Sequence, residues 1–124
     1  MASTRIRGFD SITLKKYDGM MGRCYRQSEK GYRLYGGRGI RVCAAWIRDV
    51  GEFRRWVLGQ LGRQQISIES FIESPRQSQL DRIDVNGHYS PDNCRFVSPQ
   101  GSARNRRVVE NRRFVSAEGE EIVI

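Results

Sequence analysis

Long apolar runs, paired cysteine spacings, clustered histidines and abundant lysine are all missing from this chain of 124 residues. No stretch nears the roughly 20 apolar residues that a membrane-spanning helix needs, so a membrane partner is not expected. The three cysteines, Cys24, Cys43 and Cys94, are odd in number, show no Cys-x-x-Cys spacing and follow no signal-peptide pattern. That combination predicts reduced, mostly buried thiols in a cytoplasmic protein. A structural zinc built from these cysteines and the single histidine, His88, is set aside because the ligands lack paired spacing. The glycines at 36, 37 and 39 match neither the P-loop nor the dinucleotide fingerprint, so no small-molecule cofactor is expected. Lysine supplies only three of the 22 basic residues; the other 19 are arginine.

What is present is charge of one sign. The net charge of +8 and a pI near 10 point to a polyanion, and nucleic acid is the commonest one. Arginine's rigid fork of donors fits phosphate oxygens and guanine edges better than a lysine point charge. DNA is therefore the expected partner, although a plain basic surface would also hold DNA weakly through counterion release. A hydrophobic fraction of 38% with twelve aromatic residues indicates a folded chain, of a size for one domain.

Residues 1–10 read as a frayed basic arm. A helix-hairpin-helix extension is expected over 11–62. Its first helix is capped by Asp10 or Ser11, runs to about Gln27, and presents Leu14, Tyr17, Met20, Met21 and Cys24 on one face. Lys15, Lys16, Arg23 and Arg26 form a basic stripe on its other face, a solvated surface or a set of phosphate contacts. The glycine-rich segment from Tyr32 is read as a tight bend feeding a strand, Ile40 to Cys43, with Trp46 and Ile47 closing the core. Arg38 and Arg41 on that bend could reach a DNA groove or simply stay solvated. The next helix, from Asp49 to about Gly62, buries Phe53, Trp56, Val57 and Leu61, with Asp49 and Glu52 as a capping box. Residues 63–79 form a connector with room for one strand, and 108–124 read as a hairpin tail.

The chain is organised around Leu80 to Phe96. Asp81 and Arg82 lie next to each other on a short strand and so belong on opposite faces. Asn86-Gly87 reads as a turn supplying positive φ, and Ser90-Pro91 as a second turn. Cys94-Arg95-Phe96 alternates again, and Ser98-Pro99 opens a helix with Ser98 as N-cap. This strand, loop, strand, helix order resembles the ββα-metal core of HNH endonucleases, particularly the small phage-borne kind. The residues that carry the resemblance are Asp81-Arg82-Ile83-Asp84, then Pro91-Asp92-Asn93-Cys94-Arg95-Phe96, then a helix bearing Gln100 and Asn105. The upstream block from Tyr35 to Cys43, followed by Trp46, also looks like what accompanies that core. The implied fold is α+β, with a ββα-metal core at 80–107.

The resemblance implies a chemistry. Phosphodiester hydrolysis needs a divalent cation on the scissile phosphate, a deprotonated water and a stabilised leaving oxygen. Oxygen ligands suit Mg²⁺ or Mn²⁺. Carried over, Asp81 is the first metal ligand, Asn105 or Ser102 the helix ligand, and Asn93 the amide that orients the base. Asp84 is either an outer acid or a turn residue. Arg82 stands where the family has its general-base histidine, and an arginine cannot accept a proton from water. Either Arg82 clamps phosphate while His88 or a tyrosine such as Tyr89 acts as base, or the site is degenerate. Some nucleases of this superfamily do carry Asp-Arg here and remain active. Arg95, Arg104, Arg106 and Arg107 lie beside the site, placed for DNA phosphates.

Three function classes follow: a metal-dependent DNA endonuclease, a catalytically silent DNA-binding protein on the same scaffold (a phage regulator or inhibitor), and a basic structural protein with an acidic protein partner. A homodimer is the arrangement that would bring two sites to one duplex.

Overall fold

Apolar and small residues at Phe9, Thr13, Met20 and Cys24 recur at spacings that return to one face of a helix, and all four are buried. They belong to α1 (Thr4–Tyr25), the first element in a computed structural model that describes residues 4–100, 114–115 and 121–122. The helix therefore begins well before Asp10, which corrects the expected frayed arm over 4–10; residues 1–3 lie outside the described residues. Phe9 anchors the early turns by packing on Phe71, ring centroids 5.4 Å apart, and Arg5 pairs with Glu69 at 2.8 Å. Leu14, expected on the apolar face, is 52% exposed.

Downstream of α1, Tyr32–Leu34 and Gly36–Arg38 form two 3₁₀ turns. Gly36 is required by proximity, because a Cβ there would overlap the Cys24 carbonyl and stand 2.6 Å from the Tyr32 ring. Gly39 ends the second turn at φ 91°, in the left-handed region. The expected strand from Ile40 to Cys43 is reduced to one parallel bridge, Val42 with Tyr89. Tyr89 N–H donates to Arg41 O and Cys43 N–H to Tyr89 O, each at 2.9 Å. Ile40 and Val42 are both buried, so the apolar alternation is real while, among the described residues, Val42–Tyr89 is the one ladder contact.

Two helices follow, α2 (Ala44–Arg48) and α3 (Val50–Arg63). Asp49 caps α3 as expected, accepting from Gly51 N–H at 2.8 Å, and Phe53, Trp56, Val57 and Leu61 are buried. The reciprocal half of a capping box is replaced by a contact from Arg55 to the Glu52 carboxylate. The helix runs past Gly62 and closes with Gln65 at φ 57° and a bond from Ile66 N–H to Leu61 O at 2.9 Å. The connector then holds α4 (Ile68–Glu73), a helix where a strand had room. Ser67 caps it, accepting from Ser70 N–H at 3.0 Å, and Phe71 is fully buried.

β1 (Gln79–Arg82) and β2 (Cys94–Val97) pair antiparallel, with Leu80 opposite Phe96 and Asp81 opposite Arg95. Gln64 serves as a substitute neighbour for β2, accepting from Phe96 N–H at 2.9 Å and donating to Phe96 O at 2.8 Å. After β2, Pro99 and Gln100 are helical, where a helix start was expected. β3 (Phe114–Val115) and β4 (Glu121–Ile122) form the expected tail hairpin, Phe114 opposite Ile122. A run of rings ties α1, α4, β2, α3 and α2 into one core: Phe9–Phe71, Phe71–Phe96, Phe96–Trp56 and Trp56–Trp46, with centroids 5.2 to 5.7 Å apart. The architecture is thus α+β, helices with two small two-stranded sheets among the described residues. Among the described residues, no helix is long and apolar enough to cross a membrane.

Candidate metal and nucleic-acid site

Alternation along β1 decides what each central residue does. Arg82 turns inward and is 8% exposed; Asp81 turns the other way and lines an open cleft. The guanidinium of Arg82 lies over Tyr35 and Tyr89, 4.9 and 5.3 Å from the ring centroids. Its Nη1 donates to Val85 O at 2.6 Å and to Gly87 O at 2.8 Å. These are charge-assisted bonds to loop carbonyls in a protected place. Arg82 is therefore built into the loop that joins β1 to β2.

Arg38 does the same from the other side, which corrects its expected role as a groove contact. It is 5% exposed, donating Nε to Leu34 O at 2.9 Å, Nη1 to Asn86 Oδ1 at 3.2 Å, and Nη2 to Val85 O. Two buried arginines thus share the Val85 carbonyl. Asn93 completes the brace: its Oδ1 accepts from Asp84 N–H at 2.8 Å, and its Nδ2 donates to His88 O at 2.9 Å and to Asp84 O at 3.1 Å. Gly87 makes room for that amide, since a Cβ would stand 2.6 Å from Asn93 Nδ2. Room is why glycine sits here; among the described residues, positive φ occurs only at Gly39 and Gln65. Asp84 is a turn residue, its Oδ1 accepting from Asn86 N–H at 2.9 Å.

His88 is exposed, and its Nδ1 accepts from Arg41 N–H at 2.9 Å. That contact places the imidazole proton on Nε2, leaving no lone pair open to a substrate water. Tyr89 is 2% exposed and accepts from Arg23 Nε at 3.1 Å. Burial pushes its hydroxyl up to about 12, so it cannot serve as a base near neutral pH. Arg41 is exposed, with Nη1 reaching Gly36 O and Ile40 O at 3.3 and 3.2 Å. Arg95 crosses the sheet to Asp81, Nε to Oδ2 at 3.3 Å, and both remain partly open to solvent.

The Asp81 cleft holds about 380 Å³ and is lined by Lys15, Lys16, Gly19 and Arg23 of α1, by Tyr35, and by Gln79, Leu80 and Asp81 of β1. Burial lowers the Lys16 ammonium to about 8, while its Nζ donates to Pro75 O at 3.1 Å and Ser78 O at 2.6 Å. The α1 basic stripe was visible in the sequence as a pattern. That it faces Asp81 was not, because only the packing of α1 beside β1 brings the two together. Arg26, the fourth member, turns away to Asp18.

The structure therefore unites Arg82, Asn93, His88 and Arg38 around one loop and puts Asp81 with Arg95 on a separate face. Ser102, Asn105, Arg104, Arg106 and Arg107 lie outside the described residues. Among the described residues, no group of three or more His, Cys, Asp or Glu is placed to hold a metal, and the three cysteines are free. No protein-family model, curated protein or solved structure matches the chain.

Proposed function

We propose that this chain is a metal-dependent DNA endonuclease on an HNH-like ββα scaffold. The observation that carries the reading is Asp81, a strand carboxylate set in an open cleft whose other charged lining groups are Lys15, Lys16 and Arg23. A single carboxylate suits hydrated Mg²⁺ or Mn²⁺, which binds through one or two carboxylates plus substrate phosphate rather than a closed protein cage. Asp81 would hold the ion together with Asn105 or Ser102. When bound, the ion supplies charge stabilisation at the phosphate and the leaving oxygen. The basic side chains of the chain draw the DNA backbone in, and Arg95 stands directly across the sheet from Asp81.

A second reading, a DNA-binding protein that does not cut, is favoured by a specific observation. Arg82 is committed to the loop, Tyr89 is buried, and His88 accepts a proton from water only if its contact with Arg41 opens. A plasmid-nicking time course with Mg²⁺, Mn²⁺ or EDTA, wild type beside Asp81→Ala, separates the two. Cleavage that needs metal and disappears in Asp81→Ala supports the nuclease. Salt-sensitive DNA retention with no cleavage under any metal supports the silent binder.

A further inference from the structure

Three cations, Lys15, Lys16 and Arg23, line the Asp81 cleft, and Arg82 joins Arg23 over the Tyr35–Tyr89 pair. Arg23 and Arg82 both lie over the two tyrosine rings, Arg23 at 5.4 and 5.7 Å from the centroids, Arg82 at 4.9 and 5.3 Å. The rings are stacked, 6.2 Å apart. None of the ion pairs among the described residues uses Lys15, Lys16, Arg23 or Arg82. Across the cleft lining the formal count is three cations against one carboxylate, a net +2. Like charges gathered on a low-dielectric wall repel unless an anion joins them. The shape agrees with the charge. Arg23 Nη1 lies 3.2 Å from where a Cβ on Gly19 would be, so the absent side chain at Gly19 keeps the floor of the cleft open beside the guanidinium.

We propose that Lys15, Lys16 and Arg23 of α1 form a phosphate seat that takes one phosphodiester of the nucleic-acid backbone and holds it facing Asp81. The anion site follows from the cleft itself. The choice of a nucleic-acid phosphodiester over free phosphate rests on the proposed nuclease or DNA-binding function. In this arrangement α1, from outside the strand-loop-strand unit, sets which phosphate meets the carboxylate. Lys16 is held in place by the Pro75 and Ser78 carbonyls, Arg23 by Tyr89, and Lys15 stands exposed at the rim.

The test uses the full chain in EDTA, so that neither metal binding nor cleavage enters. Affinity for a 12-base-pair duplex is measured by fluorescence anisotropy over a salt series, and inorganic phosphate is titrated separately at constant ionic strength. Lys15→Gln and Arg23→Gln are each expected to weaken duplex binding and to lower the log–log salt slope by about 0.9 per lost contact. Gly19→Leu, which changes no charge, should weaken binding by filling the cleft. Asp81→Asn should bind the duplex several-fold tighter than wild type, because it removes the one repelling charge. If Lys15→Gln, Gly19→Leu and Asp81→Asn all bind like wild type, the seat is overturned, whether or not Arg23→Gln folds. Binding of inorganic phosphate that Lys15→Gln and Gly19→Leu weaken, with no duplex binding, keeps the anion seat and overturns its assignment to nucleic acid. Loss of nicking activity in magnesium with these binding effects intact leaves the seat standing and removes only the nuclease reading.

Discussion

Replacing Arg82 with methionine separates a structural arginine from a chemical one. The substitution keeps most of the aliphatic stem and removes the guanidinium from its place over Tyr35 and Tyr89. Two charge-assisted hydrogen bonds vanish, to Val85 O at 2.6 Å and Gly87 O at 2.8 Å. Each is worth about 1.5–3 kcal/mol when its donor is charged. The lost contacts with the two rings add about 0.5–2 kcal/mol, part of which the thioether recovers by packing on them. Because Arg38 still serves the Val85 carbonyl, the net loss expected lies in the lower part of that sum, about 3–5 kcal/mol, a large share of the 5–15 kcal/mol that holds a typical domain together. In urea, with a slope of about 1.5 kcal/mol per molar, the midpoint should fall by about 2–3 M while the slope stays put. Arg82→Lys, which keeps the charge and loses the fork, should fall by roughly half as much. Pairing Arg82→Met with Arg38→Met should cost more than the sum, since each single variant leaves the Val85 carbonyl one charged donor and the double variant leaves it none. A midpoint for Arg82→Met within about 0.3 M of wild type, with DNA cleavage abolished, would refute the structural assignment and return Arg82 to the substrate.

Other outcomes follow from single contacts. Gly36→Ala forces a methyl into the Cys24 carbonyl at the end of α1, and thermal melting should show a loss of at least about 3 kcal/mol or no folded protein. Thr13→Val should raise the melting temperature, because the Thr13 hydroxyl is buried without a hydrogen-bond partner and a methyl of equal size removes a desolvation penalty of about 1 kcal/mol. Among the thiols, Cys43 should react with an alkylating reagent first at pH 8. Cys24 and Cys94 are buried, burial raises both thiols (that of Cys94 to about 12), and their labelling should follow global unfolding.

Much of this organisation is legible in the order of residues. The alternation Leu80 to Arg82 and Cys94 to Phe96 gives both strands and the opposite facing of Asp81 and Arg82, and Asp49 before Phe53, Trp56 and Val57 gives α3 and its cap. Local pattern fails where partners are distant. Nothing near Phe9 announces Phe71, so the first turns of α1 look like a loose arm. In the connector, the β-branched isoleucines at 66, 68 and 72 suit a strand as well as a helix, and Ser67 shows as a cap only through its bond from Ser70 N–H. Arginine is the larger lesson. Arg38 and Arg82 look in sequence like any other surface cation of a DNA-binding chain. What buries them is a set of loop carbonyls at Val85 and Gly87 and two tyrosine rings, supplied by segments far apart in the chain. The α1 stripe shows the converse, an ordinary solvated pattern that acquires meaning only once Asp81 is packed beside it.

The Val42–Tyr89 bridge bears on portability. The segment from β1 to β2 looks like a module that could be cut out and moved. Yet its loop is braced from outside by Arg38, its tyrosine is bonded to Arg41 and Cys43, and the ring pair that shelters Arg82 is half supplied by Tyr35. Excised at Leu80, the segment would carry a guanidinium with one of its two rings gone and a loop with half its brace. The unit that can be transplanted, circularly permuted or expressed alone therefore starts no later than the 3₁₀ turns, and any shuffling of this scaffold must carry the glycine-rich bend with the strands.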